Sequence, residues 1–324
     1  MQYKGTYKGL NEVKESYINS KTNKLFFSII FIVVLIVTTF IATFKLIDKV
    51  DYEISLSKEE ILSYINLADE ISENGYQVNW QELAAINFVL NNESFNINED
   101  NIKIISEALF KTDKSGEVIA INSFKESIEN LRFNYSEEEL ANRTLKALSN
   151  NYINENLAKN KERLDFIEKV YEVAIDNYKD YGILPSITIS QAILESGWGE
   201  STLSEDYNNF FGIKADNRWS GKTAEIETKE NYDDVIVGSF RAYDSFKASI
   251  RDHGKFLYEN ERYRNSGLLE GKTYKEQAQS LEDAGYSTAK DEEGKLIYAD
   301  KLIRVIQENN LMLYDKIAKQ SLNK

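Results

Sequence analysis

The pattern of apolar and polar positions changes along the chain and predicts three kinds of segment. Residues 25–44 contain no charged residue, glycine or proline. Residues 54–150 repeat apolar positions at helical spacing, which predicts a wholly helical region. Glycines, aromatic residues and β-branched residues become dense over residues 182–243, and the alternation at 222–229 is typical of a β-strand. The fold class predicted from these patterns is α+β and mainly helical.

The uncharged segment at residues 25–44 has the length of a membrane-spanning helix. Its 20 residues would extend about 30 Å, the thickness of a bilayer's hydrocarbon core. A cleaved signal peptide is the alternative, but the segment is longer than the usual signal core and ends without a small-residue cleavage site. Residues 1–24 contain five lysines and two glutamates, so the positive-inside rule predicts a cytoplasmic tail. We therefore expect a single-pass protein of the cell membrane whose remaining residues are extracytoplasmic.

Composition excludes several classes of chemistry. The chain of 324 residues has no cysteine and one histidine, His253, which excludes thiol nucleophiles, disulfides and zinc sites built from cysteine or several histidines. A net charge of −14 argues against a nucleic-acid partner. Acid–base chemistry must come mainly from carboxylates, tyrosine or lysine. No metal and no cofactor is implied.

The helical region at residues 45–154 carries no recognisable chemistry. Serine and glutamate stand three residues apart at Ser57 and Glu60, and again at Ser136 and Glu139, as in the capping box that starts a helix. Residues 113–117 lack the spaced oxygen ligands of a calcium loop and are interpreted as a turn. We predict an extracytoplasmic spacer, or a docking region for a membrane or cell-wall protein partner.

A short helix with a carboxylate in its last turn opens the second half of the chain. Pro185 and Ser186 predict its start, with Ser186 as N-cap, and Gly197 predicts its end. Glu195 then lies near the negative end of the helix dipole and beside Trp198. Both the dipole and apolar surroundings disfavour the charged carboxylate and raise its pKa, as a general acid requires. An ordinary surface glutamate is the alternative interpretation.

Further elements follow this helix. Strands at residues 222–229 and 235–243 predict a hairpin with Glu230 near its tip. On the helix predicted at residues 245–259, His253 shares the apolar face, which favours a hydrogen-bonded core residue over a catalyst. Thr273 with Glu276 predicts another capping box, and a final helix is expected from residue 298 to 313.

Four motifs in order then identify a family. They are ESGWG (195–199), NNFFGIK (208–214), FRAYDSFKASIRDHGKFL (240–257), and AGYST (284–288) with YADKL (298–302). Together they resemble the glucosaminidase domains of glycoside hydrolase family 73, which includes bacterial autolysins. We expect this catalytic domain to occupy residues 155–320.

The resemblance implies a lysozyme-like fold with a small β-hairpin lobe, and cleavage of the β-1,4 bond after N-acetylglucosamine in peptidoglycan strands. Glu195 falls on the family's catalytic glutamate, Glu230 on its candidate second carboxylate, and Tyr286 on a tyrosine that lines the cleft. The remaining candidates are substrate-binding residues, namely Trp198, Asn209, Phe210, Phe211 and Tyr243.

Several alternatives stay open. Glu230 could activate water with inversion, or stabilise charge while the substrate's N-acetyl group attacks. A lytic transglycosylase or muramidase could share the fold, and a catalytically silent glycan-binding scaffold is a rival of another class. The chain departs from the family pattern at Phe210, where the family has leucine, and at residues 291–293, an acidic insertion that could alter the cleft rim or bind a cation.

Overall fold

Helices dominate this computed structural model, which describes residues 54–322 apart from residue 55 and the segments 73–75, 152–160 and 231–233. The predicted membrane helix at residues 25–44 and the tail before it lie outside the described residues. Within the described ranges, no helix combines the length and the apolar composition needed to cross a bilayer.

The described residues up to 151 form five helices and one short hairpin, which make up the N-terminal region. Its elements are α1 (Lys58–Glu70), α2 (Trp80–Leu90), α3 (Glu99–Leu109), β1 (Phe110–Thr112), β2 (Val118–Ile121), α4 (Phe124–Asn130) and α5 (Tyr135–Asn151). The predicted capping box at Ser57 and Glu60 starts α1 and is confirmed.

Two predictions for this region were wrong. The region is not helical throughout, because β1 and β2 pair antiparallel. The turn predicted between these strands is confirmed, since the Asp113 carboxylate accepts the backbone N–H groups of Ser115 and Glu117.

The second wrong prediction is the capping box expected at Ser136 and Glu139, which is displaced by two residues. Asn134 accepts two backbone N–H groups of the first turn, and its own N–H bonds the carboxylate of Glu137.

The described residues from 161 onward, which make up the C-terminal region, supply eight more helices and the longer hairpin. They are α6 (Lys161–Tyr181), α7 (Pro185–Ser196), α8 (Thr202–Tyr207), β3 (Lys222–Glu230), β4 (Asp234–Ala242), α9 (Phe246–Glu259), α10 (Glu261–Asn265), α11 (Tyr274–Asp283), α12 (Tyr298–Glu308) and α13 (Met312–Leu322). The capping box at Thr273 and Glu276 is confirmed. The final helix expected over 298–313 is interrupted, because Asn310 adopts a left-handed conformation with φ 52°.

Helix α7 is the centre of this region and packs against α6, α11, α12 and α13. Only Leu194 and Glu195 of its residues are not buried. Gly197 ends it in a left-handed conformation, which confirms the predicted C-cap. Ser186 is not the N-cap, because the helix begins one residue earlier at Pro185. The Ser186 backbone N–H and hydroxyl both donate instead to the carboxylate of Asp315 on α13, at 2.8 and 2.6 Å.

The predicted hairpin is confirmed as β3 and β4, which pair antiparallel from Lys222 opposite Ala242 to Glu230 opposite Asp234. Near its base, the backbone at Ile213 and Ala215 bonds the other edge of β4. The segment 213–215 thus connects the hairpin by backbone hydrogen bonds to the loop that follows α8.

Residues 54–324 form one compact unit, because the N-terminal helices contact the C-terminal region directly. Lys275 pairs with Asp69 at 3.0 Å, and the Trp80 indole N–H donates to Asn310 at 2.9 Å. Lys316 and Glu82 form a buried ion pair at 2.6 Å. The domain boundary expected near residue 155 stays a prediction.

Candidate active site

Glu195 projects from the last turn of α7 and is held by a short hydrogen-bond chain. The hydroxyl of Tyr298, at the first position of α12, donates to Glu195 Oε1 at 2.7 Å. Gln191, one helical turn before Glu195, donates its Nε2 to the same hydroxyl at 3.1 Å. Both Gln191 and Tyr298 are buried, so the orientation of the Glu195 carboxylate is set by groups in the protein interior.

The surroundings of Glu195 favour its protonated form. The side chain reaches solvent, yet enough protein atoms surround the carboxyl group to remove part of its hydration. Desolvation by burial therefore raises the pKa of Glu195, while the Tyr298 hydrogen bond and the charge of Lys301 act in the opposite direction. The combination of a raised pKa with access to solvent suits a group that delivers a proton to a bound substrate.

Tyrosine rings form the wall beside Glu195. Tyr286 stacks on Tyr298 with ring centroids 5.3 Å apart and an interplanar angle of 14°, and Tyr263 lies 6.0 Å from Tyr286. Burial, and then the negative charge of Glu195, raise the pKa of Tyr286. The Tyr286 hydroxyl makes no hydrogen bond with the part of the chain that the structure describes. It is thus a protonated donor beside the acid, and its role in the cleft stays a prediction.

The carboxylate of Glu282 caps the helix that carries Tyr298. The side chain of the N-cap residue of helix α12 makes no capping hydrogen bond. Instead, Glu282 Oε2 accepts the Ala299 N–H at 2.9 Å. Tyr298, Gln191 and Glu282 were not among the predicted site residues. The available signals were weak: Tyr298 opens the motif at 298–302, and Gln191 lies four residues before Glu195.

A family model matches the region of the chain that contains this site. Residues 171–311 match the Glucosaminidase family model, described as mannosyl-glycoprotein endo-beta-N-acetylglucosaminidase. These residues belong to the glucosaminidase family. The resemblance inferred from the four motifs is therefore confirmed.

Two curated relatives share this glucosaminidase domain. The exo-glucosaminidase LytG of Bacillus subtilis is 34% identical over 171 residues, which cover 50% of this chain and 58% of the relative. The peptidoglycan hydrolase FlgJ of Vibrio cholerae is 35% identical over 159 residues, covering 47% and 46%. The chain thus spans about half the length of these relatives. A solved peptidoglycan hydrolase from Sphingomonas sp. A1 is 30% identical with a TM-score of 0.39, covering 48% of this chain and 94% of its own.

The backbone of Glu230, the second catalytic candidate, lies at the end of the hairpin. Glu230 is the last residue of β3 and its backbone pairs with Asp234, which confirms its predicted position near the tip. Its catalytic role stays a prediction.

Four of the five predicted substrate-binding residues have buried side chains. The Asn209 amide donates to the carbonyls of Ile213 and Arg241 and accepts two backbone N–H groups, so it builds the 209–213 turn. The Phe211 ring stacks on His253 at 3.7 Å. Both side chains are thus buried, and their direct contact with sugar stays a prediction.

Phe210 and Tyr243 are also buried among neighbouring side chains. Phe210 packs edge-on against Phe246 at 4.7 Å, and the Tyr243 hydroxyl donates to Asp252 at 2.7 Å. Trp198 differs from these four, because its ring is half-buried and lies beneath the Arg163 guanidinium at 4.7 Å. Of the predicted sugar-contacting residues, Trp198 therefore offers the most accessible aromatic surface.

The prediction for His253 was half right. It is a fully buried core residue, but neither ring nitrogen has a hydrogen-bond partner in the described part of the chain. Burial lowers the pKa of His253 to about 3, so the ring is neutral at physiological pH.

The acidic insertion at residues 291–293 forms a closed turn. Asp291 Oδ1 accepts the backbone N–H groups of Glu293 and Lys295. Across the described ranges, no three histidine, aspartate or glutamate side chains converge to hold a metal ion.

Proposed function

We propose that this chain is a peptidoglycan hydrolase that cleaves the β-1,4 bond after N-acetylglucosamine, with Glu195 as general acid. The observation that carries the proposal is a desolvated, solvent-reachable carboxyl group held at one oxygen by Tyr298. The relatives LytG and FlgJ, described as an exo-glucosaminidase and a peptidoglycan hydrolase, support the substrate class.

The direction of the Tyr298 hydrogen bond determines where the acidic proton resides. Because the tyrosine hydroxyl donates to Oε1, this oxygen acts as an acceptor, and the proton of the neutral acid is carried by Oε2. Oε2 then protonates the departing glycosidic oxygen, and Glu195 becomes a carboxylate. The Tyr298 hydrogen bond strengthens as this charge develops, so it stabilises the transition state more than the ground state.

The sugar cation formed in the first step needs a second group. Glu230, at the hairpin tip, either activates water with inversion or stabilises positive charge while the N-acetyl group of the substrate attacks. A carboxyl separation of roughly 6.5–9.5 Å leaves room for the water of an inverting reaction. The anomeric configuration of the first product, followed by NMR, distinguishes the two routes, because only the first inverts it.

The location of the reaction follows from the N-terminal sequence. Residues 25–44 anchor the chain in the cell membrane with residues 1–24 in the cytoplasm, and the N-terminal helices dock a membrane or cell-wall protein. An acidic chain has no general attraction to an anionic wall, so the anchor keeps the enzyme near newly made glycan. Release of the extracytoplasmic part in cells should broaden wall damage. Equal damage by anchored and released forms would count against an anchoring role.

Mass spectrometry of digested peptidoglycan tests the reaction. The full chain, kept in neutral detergent, should release fragments with N-acetylglucosamine at the reducing end, and Glu195→Gln should release none. Glu200→Gln is a matched control, since Glu200 is an exposed glutamate just beyond α7.

Other products would identify the rival functions. Ends with N-acetylmuramic acid would indicate a muramidase, and anhydro-muramic ends would indicate a lytic transglycosylase. Failure of the unmodified chain to release any fragment would refute hydrolysis and favour a glycan-binding scaffold.

A further inference from the structure

A second concave site lies where the N-terminal region meets helix α13. It is a pocket of about 420 Å³, within the size range of small-ligand sites. One wall comes from the segment before α2, the β1–β2 hairpin and the start of α4. The opposite wall comes from α13, through Lys316, Lys319 and Gln320.

This pocket is separate from the catalytic cleft. Asp315, the neighbour of Lys316, bonds Ser186 at the start of α7. Glu195 lies nine residues further along the same helix, a distance of about 14 Å at 1.5 Å per residue. The two sites therefore lie at opposite ends of α7.

Lysines outnumber carboxylates among the residues that line this pocket, although the chain as a whole carries a charge of −14. Three lysines, Lys111, Lys316 and Lys319, line it together with a single carboxylate, Glu126. Lys111 pairs with Glu126 at 2.8 Å. Lys316, with 7% of its side chain exposed, pairs with Glu82 at 2.6 Å. An ammonium group has three donor hydrogens, so each of these two lysines retains donors beyond its ion pair.

Lys319 adds a cation in an environment that opposes its charge. Its Nζ lies 3.9 Å from the centre of the Tyr76 ring. Burial, and then repulsion from Lys272, lower the pKa of Lys319 to about 8. A bound anion would offset both effects, because it supplies the opposite charge where solvent is partly excluded.

We propose that this pocket binds an anionic saccharide unit, a sugar ring that bears a carboxylate or a phosphate. The lysines recognise the anionic group by charge-assisted hydrogen bonds. Gln320, whose amide makes no hydrogen bond with the described part of the chain, and the Tyr76 ring suit the hydroxyl groups and the apolar face of the sugar. The site would hold the chain on an anionic glycan independently of cleavage.

Calorimetric titration of the full chain in neutral detergent tests this proposal. The probes are N-acetylmuramic acid, which carries a carboxylate, N-acetylglucosamine 1-phosphate, and neutral N-acetylglucosamine. At least one anionic sugar should bind about tenfold more tightly than the neutral sugar, because charged hydrogen bonds are the stronger ones. The preferred anionic probe distinguishes a carboxylate ligand from a phosphate ligand.

Lysine variants locate the binding. Lys319→Gln and Lys111→Gln should each weaken anion binding about tenfold, by loss of one charge-assisted hydrogen bond. Lys247→Gln is the control, since Lys247 is exposed on α9 and pairs with Glu172. If thermal unfolding shows that Lys319→Gln does not fold, the anion affinity of Lys111→Gln alone tests the proposal.

The pH dependence of affinity provides a second measurement. Among the described residues, the titratable groups that face Lys319 or line its pocket include Tyr76, Lys111, Glu126, Lys272 and Lys316. Affinity should fall from pH 7 to 9 as Lys319 loses its proton, and Lys319→Arg should remove that fall. Equal binding of neutral and anionic sugars, or unchanged binding in the folded lysine variants, would overturn the proposal and leave the hydrolysis reaction unaffected.

Discussion

Replacing Tyr298 with phenylalanine tests the mechanism at a single oxygen atom. The change removes the hydroxyl that donates to Glu195 Oε1 at 2.7 Å and keeps the ring that stacks on Tyr286. Two consequences follow. The carboxylate formed during cleavage loses a donor, and the pKa of Glu195 rises because a hydrogen bond that lowers it is gone.

The size of the effect follows from the difference between neutral and charged hydrogen bonds. A bond to a neutral acceptor contributes about 1 kcal/mol, and a bond to a charged acceptor about 1.5–3 kcal/mol. Because Glu195 is neutral before proton transfer and charged after it, the transition state loses about 0.5–2 kcal/mol more than the ground state. This corresponds to a fall of about 2- to 30-fold in kcat.

The assay is the rate of cleavage of soluble glycan fragments between pH 4 and 9. In the variant, kcat should fall at low pH, and the alkaline limb, where Glu195 loses its proton, should move to higher pH. Tyr258→Phe makes the same chemical change on α9 at an exposed ring outside the site and should leave the profile unaltered. Thermal unfolding checks the fold, since Gln191 loses its hydrogen-bond partner.

A profile that does not move, or one that moves to lower pH, would refute the argument. Unchanged kcat with a shifted limb would show that Tyr298 sets the pKa of Glu195 but does not stabilise the transition state.

Two buried groups should give opposite dependences of stability on pH. Burial raises the pKa of Asp315 to about 7 from 3.8, so the native state loses up to about 4 kcal/mol as pH rises through this interval. Urea unfolding of Asp315→Asn at pH 4 and pH 8 should therefore show a gain relative to the unmodified chain at pH 8 only. His253 has a folded pKa of about 3 against 6.5, so its contribution is lost as pH falls below 6.5. His253→Phe should retain activity and should be less sensitive to acid by about 2 kcal/mol at pH 5, and an equal loss in both proteins would contradict this.

Much of the C-terminal region could be predicted because its signals are local. The capping box at Thr273 and Glu276, the left-handed Gly197 and the alternation along β3 each depend on residues close in sequence. Glu195 was predicted for the same reason, since a glycine-terminated helix and four ordered motifs pointed to it.

Some features that were missed depend on contacts distant in sequence. The true partner of Ser186 is Asp315, 129 residues away, and the hydroxyl beside Glu195 comes from Tyr298, 103 residues away. Sugar contact by Phe210 and Phe211 stays a prediction, and only the structure shows that both side chains are buried. The β1–β2 hairpin was missed because strands of three and four residues are too short for a periodic pattern.

The burial of α7 has a consequence for the motion of the acid. Amide hydrogens in a helix enclosed on nearly every side exchange with solvent only when the whole unit opens. Glu195 is therefore attached to the part of the fold that opens last. The reach of this acid is set by a rigid backbone, so adjustment to a bound substrate has to come from groups outside α7.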